Sequence, residues 1–97
     1  DSGLPDAVFA ANDDIALGLC HELLAAGVRI PDDVAVVGFD DIPLARWATP
    51  SLSSVIQDFD ALGQASLRLS DELVEGAPAH SICLKPQLVV RASTTKA

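Results

Sequence analysis

Ala7-Val8-Phe9-Ala10-Ala11-Asn12-Asp13-Asp14-Ile15-Ala16-Leu17-Gly18 is answered further on by Val34-Ala35-Val36-Val37-Gly38-Phe39-Asp40-Asp41, and the two segments together define the fold. The first apolar run follows Pro5 and reads as a short strand. Asn12 then stands at a helix N-cap position, and Asp13 and Asp14 fall in the first turn, where carboxylates suit the positive end of the helix dipole. A helix is predicted from Ile15 to Ala26, with Gly27 as the residue that ends it. Val34 to Phe39 is the second strand. Strand, helix and strand make a βαβ unit. Both strands are apolar throughout rather than alternating, which predicts parallel pairing with both faces covered.

Outward from that unit the texture changes. Asp40-Asp41-Ile42-Pro43 is expected to cap a short helical turn that runs to Trp47 and stops before Thr49-Pro50. Leu52 to Gln57 reads as extended. Asp58 or Asp60 caps a further helix to Glu75, with Leu62, Leu69 and Leu73 on one side and Gly76 as its stop. Ser81-Ile82-Cys83-Leu84 and Gln87-Leu88-Val89-Val90 read as short strands on either side of Lys85-Pro86. Taken together this is an α/β chain that supplies part of a sheet rather than a closed architecture.

The chain has 97 residues, room for one small domain or a piece of a larger one. At 49% hydrophobic and 21% charged it is too apolar to remain a solvated coil. Six Lys and Arg against 14 Asp and Glu give a net charge of −8, which would repel a phosphate backbone and excludes a nucleic-acid-binding module. The two cysteines, Cys20 and Cys83, form neither a disulfide framework nor a metal-ligand spacing, and each sits in an apolar stretch as a buried thiol would. No run reaches the length of a membrane span, and no signal-type segment opens the chain. It begins Asp1-Ser2-Gly3 and contains no Met, as expected of a fragment or a processed product.

In open parallel sheets ligands bind beyond the carboxyl ends of the strands. Asn12 after the first strand, and Asp40 with Asp41 after the second, would meet at that edge. An amide beside a carboxylate suits a ligand rich in hydroxyls, because Asp accepts from adjacent OH groups while Asn both donates and accepts. The plainer alternative is that these residues only cap helices. Gln57 and Phe59 follow the extended Val55-Ile56; they either satisfy backbone and core, or give a polar group and a ring of the kind a sugar pocket uses. Trp47 is either core or an interface anchor, and Leu17 with His21, one helical turn apart, would extend the same patch. His21 and His80 have no Ser or Cys partner arranged by sequence, and Gly38, Gly63 and Gly76 are isolated rather than part of a phosphate cradle. No enzyme activity, metal or cofactor is expected.

Ala7-Val8-Phe9-Ala10-Ala11-Asn12-Asp13 with Ala16-Leu17-Gly18, Val36-Val37-Gly38-Phe39-Asp40-Asp41, Thr49-Pro50-Ser51-Leu52-Ser53-Ser54-Val55, Gln57-Asp58 with Leu62-Gly63, and Leu88-Val89-Val90-Arg91-Ala92-Ser93-Thr94 together resemble the LacI-type (lactose/galactose repressor) family in order and spacing, over nearly the whole chain. That resemblance implies the C-terminal part of a two-lobed effector domain of periplasmic-binding-protein type, in a cytoplasmic, homodimeric transcription regulator. It implies residues 1–54 in the C-terminal lobe, a crossing at 55–58, and residues 59–97 returning to the N-terminal lobe and ending near the junction. It carries effector contacts onto Asn12, Asp40, Gln57 and Phe59, and the dimer surface onto Leu17, His21, Leu44 and Trp47. The effector expected is a small molecule of the sugar class. The DNA-binding headpiece has no counterpart in this chain, so DNA would be reached only through that separate part, and no membrane is involved. The alternative is a fragment of a periplasmic sugar-binding protein of an uptake system. A phosphoryl-accepting receiver domain, for which Asp13, Asp14, Asp40 and Lys85 superficially fit, would need more βα units than the chain provides.

Overall fold

The computed structural model describes residues 3–95. Residues 1, 2, 96 and 97, the outer ends of the expected lobe segments, lie outside the described residues. The order of elements is β1 (Ala7–Phe9), α1 (Asp13–Ala25), β2 (Ala35–Phe39), α2 (Pro43–Trp47), β3 (Ser53–Ile56), α3 (Phe59–Val74) and β4 (Gln87–Val89). The chain divides into two compact units, one that runs to Ile56 and resumes at Gln87, and a second spanning Gln57–Pro86.

The first unit carries a four-stranded sheet in the order β1-β2-β3-β4. β1 and β2 pair in parallel with Val8 opposite Val36, and β2 and β3 pair in parallel with Gly38 opposite Ser54. β4 is antiparallel to β3, with Val55 opposite Leu88. The expected βαβ unit is therefore present, and α1 lies against β2. Asn12 caps α1, its side-chain oxygen accepting from the Ile15 N–H at 2.8 Å. At the other end Val28 N donates to Leu23 O and Gly27 N to Leu24 O, a paired closure that needs the left-handed φ of +82° at Gly27. Ala10, Ala16, Cys20, Val34, Val36, Ala45 and Leu52 form the buried core, with Val8, Leu19 and Leu23 packed against it.

Within this unit, only one side of the sheet is filled by the described residues. β2 alternates buried and half-buried positions, and Phe9 at the end of β1 is 67% exposed. The expectation of strands covered on both faces is corrected: α1 covers the face carrying Val8 and Val36, while on the alternate face Phe9 is exposed and Ala35, Val37 and Phe39 are only half-buried. The segment after β4 fastens the sheet instead. Ser93 sits between β2 and β3, accepting from Ser53 N at 2.8 Å and donating to Val36 O at 2.6 Å through its hydroxyl. Its backbone bonds to Val36 on one side and Ser51 on the other. Residues 87–95 thus complete the first unit's sheet.

In that second unit α3 is capped by Asp58, whose carboxylate accepts from Ala61 N at 3.0 Å, which decides between the two candidate caps. Gly76, at φ +89°, closes its far end as Ala77 N reaches back to Glu72 O. No α3 residue is fully buried. Ser81 to Leu84 forms no strand, and Cys83 is exposed rather than buried. A run of apolar residues becomes a strand only where a neighbouring strand takes its N–H and C=O groups, and β3 offers that edge to Gln87–Val89.

Candidate functional site

Because β1, β2 and β3 are mutually parallel, their carboxyl ends share one edge, where Asn12 and Asp40 follow β1 and β2. Asn12 is half-buried; its oxygen is committed to the cap, and its amide NH2 makes no hydrogen bond among the described residues. Capping and ligand donation are thus compatible, since they use opposite ends of the same amide. Asp40 is half-buried, and its carboxylate has no hydrogen-bond or ion-pair partner among the described residues. Its backbone holds φ +108° and that of Asp41 φ +55°, two successive non-glycine residues in the left-handed region, a conformation that persists only when the surroundings enforce it.

The enforcing contacts are visible. Asp40 N donates to Val55 O at 2.8 Å, and Asp41 N donates to Ser54 Oγ at 3.0 Å. Asp41 Oδ1 accepts from the Arg91 guanidinium at 2.6 Å in an ion pair with both side chains about seven-eighths buried (13% and 14% exposed), and the same Arg91 nitrogen also donates to Leu52 O. Asp13 is fully buried. Its carboxylate accepts from Ile42 N at 2.7 Å and from Ser54 Oγ at 2.6 Å. The expectation that Asp40 and Asp41 cap α2 is therefore corrected. Ile42 holds the cap position without a side-chain bond, and it is Asp13, from the start of α1, that takes up its N–H. Gly38 is the room this arrangement needs, for a Cβ there would lie far inside contact distance of Asp13 Oδ1 and 3.0 Å from a methyl of Leu52.

Gln57 and Phe59 belong to the second unit, Gln57 half-buried and Phe59 58% exposed at the first position of α3. On the first unit, Leu44 and Trp47 on α2 are 57% and 75% exposed, and neither packs in the core formed by the described residues. Leu17 and His21 line a recess of about 290 Å³ with Cys20, Leu24, Ala48, Thr49 and Pro50. Burial pushes the Cys20 thiol pKa up. Sequence reasoning does not find Asp13, Gly38, Ser54, Arg91 and Ser93 as a working set. One signal was available: Ser53-Ser54 is a polar pair flanked by Leu52 and Val55-Ile56 in a stretch read as extended, and buried hydroxyls demand partners. Among the described residues no group of side chains is arranged to hold a metal ion.

Residues 1–94 match the family described as periplasmic binding protein-like domain. The chain belongs to this family. Within it the match is to LacI-type regulators. The chain is 44% identical over 93 residues to the HTH-type transcriptional regulator MalR of Streptomyces coelicolor, an alignment covering 94% of this chain and 27% of MalR. The solved complex of the transcriptional regulator CelR with cellobiose superimposes with a TM-score of 0.80 at 41% identity, over 91% of this chain and 28% of that one. The lac repressor dimer bound to operator and the anti-inducer ONPF gives a TM-score of 0.85 at 34% identity, over 96% and 28%. This periplasmic binding protein-like chain thus spans about a quarter of the length of each of these relatives.

Proposed function

We propose that this chain is the effector-sensing and dimerisation part of a LacI-type transcription regulator that acts in the cytoplasm as a homodimer. In this reading a sugar-class effector binds between two lobes, and its higher affinity for one lobe arrangement shifts the balance between arrangements. The observation that carries the proposal is the pair at the carboxyl edge of the parallel strands: Asp40 with an unengaged carboxylate and Asn12 with an unengaged amide NH2, on a chain of this family. Residues 1–54 belong to the C-terminal lobe of the regulator, 55–58 are the crossing, and the stretch from 59 onward returns to the other lobe and ends near the junction. Gln57 and Phe59 are further effector contacts in this reading. Leu17, His21, Leu44 and Trp47 form the dimer surface, supported by the exposure of Leu44 and Trp47. DNA is contacted by a separate part of the regulator.

The test is calorimetric titration of the full-length regulator with cellobiose, lactose and maltose, repeated on Asp40→Asn. Loss of a charge-assisted hydrogen bond weakens binding by about 1–3 kcal/mol. Equal affinity of parent and variant for a sugar that binds would remove Asp40 from the site. Replacement of Trp47 by Glu should lower the sedimenting mass from dimer to monomer; an unchanged mass would remove α2 from the interface.

A further inference from the structure

We propose that Asp13 is a positioning residue: its buried carboxylate fixes the Asp40 loop in the geometry that presents Asp40 to effector. This rests on the effector reading of Asn12 and Asp40 given above. Two consecutive aspartates in the left-handed region, Asp40 at φ +108° and Asp41 at +55°, require an external constraint, since neither has the freedom of glycine. Asp40 N itself is held by Val55 O at 2.8 Å, and three further contacts fix the two residues that follow it. Ile42 N is held by one carboxylate oxygen of Asp13 at 2.7 Å. Asp41 N is held by Ser54 Oγ at 3.0 Å, and that hydroxyl donates its own proton to the other Asp13 oxygen at 2.6 Å. From the far side, Arg91 holds the Asp41 carboxylate.

Asp13 is therefore bonded, directly and through Ser54, to both residues that follow Asp40. It also directly follows Asn12, whose cap fixes the start of α1. One carboxylate consequently ties the Asn12 end of α1 to the Asp40 loop. It does so without room to relax, because its oxygen occupies the space above Gly38 where any side chain would begin. Asp13 is fully buried and cannot touch a ligand from that place, so its influence passes through the loop.

The chemistry also states which replacement should work. In Asp13→Asn the side-chain oxygen can accept from Ile42 N, while the new NH2 donates to Ser54 Oγ, which still accepts from Asp41 N. The loop constraint survives with one hydroxyl turned round. Asp13→Ala has no such route. The experiment uses the full-length regulator as Asp13→Ala, Asp13→Asn, Ser54→Ala and Asp40→Asn. Affinities for cellobiose, lactose and maltose are measured by calorimetry, and crystal structures are determined for Ser54→Ala and Asp13→Asn. The expected result is sugar binding at least tenfold weaker in Asp13→Ala and Ser54→Ala, recovered to within about threefold in Asp13→Asn. Asp40 should leave the left-handed region in Ser54→Ala and keep it in Asp13→Asn. Should Asp13→Ala fail to fold, Ser54→Ala and Asp13→Asn decide alone. Retention of the Asp40 conformation in Ser54→Ala would overturn the proposal, as would a shifted loop with unaltered sugar affinity while Asp40→Asn weakens it. If none of these sugars binds the parent protein, the sugar reading of the site fails, and the Asp40 conformation in the variant crystals still decides the positioning role.

Discussion

Replacing Gly38 by Ala tests the packing logic of the first unit most directly. The added methyl would meet Asp13 Oδ1 far inside contact distance, Asp13 Cγ at 3.2 Å and a Leu52 methyl at 3.0 Å. Neither neighbour can step aside easily. Leu52 is fully buried, and Asp13 is fully buried with both oxygens engaged. Overpacking a tight core costs about 1–3 kcal/mol. Displacing Asp13 from the Ser54 hydroxyl adds about 1.5–3 kcal/mol for a hydrogen bond to a charged group. A loss of about 3–5 kcal/mol is therefore expected, a large share of the roughly 5–15 kcal/mol that holds a typical domain together. Urea denaturation followed by far-ultraviolet circular dichroism would measure it. A double-mutant cycle with Asp13→Ala sharpens the test, since removing the carboxylate vacates the space that the new methyl group requires. Gly38→Ala should then cost less on the Asp13→Ala background than alone, with a coupling energy of about 1–3 kcal/mol. A Gly38→Ala protein within about 0.5 kcal/mol of the parent, the range of an ordinary surface change, would show that the space above Gly38 is not tightly filled.

Arg91→Ala leaves the Asp41 carboxylate largely buried without its cation, and a loss of about 3–5 kcal/mol is expected in the same assay; a shift comparable to that of a surface substitution would count against a structural ion pair. The cysteines should separate under a thiol reagent at neutral pH. Cys83 is exposed and should label in the native protein, whereas Cys20, buried and with its thiol pKa pushed up, should label only on unfolding; rapid native modification at both would contradict the burial of α1 against the sheet.

Much of this architecture was legible because its signals are local. Asn12 and Gly27 mark the ends of α1, and Asp58 and Gly76 those of α3, through bonds that reach no more than a few residues along the chain. The parallel pairing of β1 and β2 was read from strand–helix–strand order and from strands apolar throughout. What was hidden depends on partners distant in sequence. Asp13 looks like an ordinary first-turn carboxylate, yet Ile42 and Ser54 are what it serves. Gly38 looks isolated until the oxygen above it is known. Cys83 and its neighbours have the composition of a strand, but a strand exists only where a ladder is offered, and sequence does not say which segment reaches β3 first. At the candidate site the residue types at 12 and 40 were readable, while the left-handed backbone at Asp40 was not, since nothing in Phe39-Asp40-Asp41 demands it locally.

The Ser93 wedge has a consequence for how the chain assembles as it is made. β2 and β3 leave the ribosome before α3 has been synthesised, yet the outer edge of β3 and the gap beside Val36 are closed only by residues 87–95, with 57 positions separating Ser93 from Val36. Until then β3 presents bare N–H and C=O groups to whatever strand is nearby, a pairing hazard that lasts as long as the intervening residues take to emerge. Such late, long-range closure slows folding relative to a chain of local contacts, because the ends must meet before their contacts reward the search. Of the two units, the first is consequently the one whose sheet begins before α3 is made and closes after it.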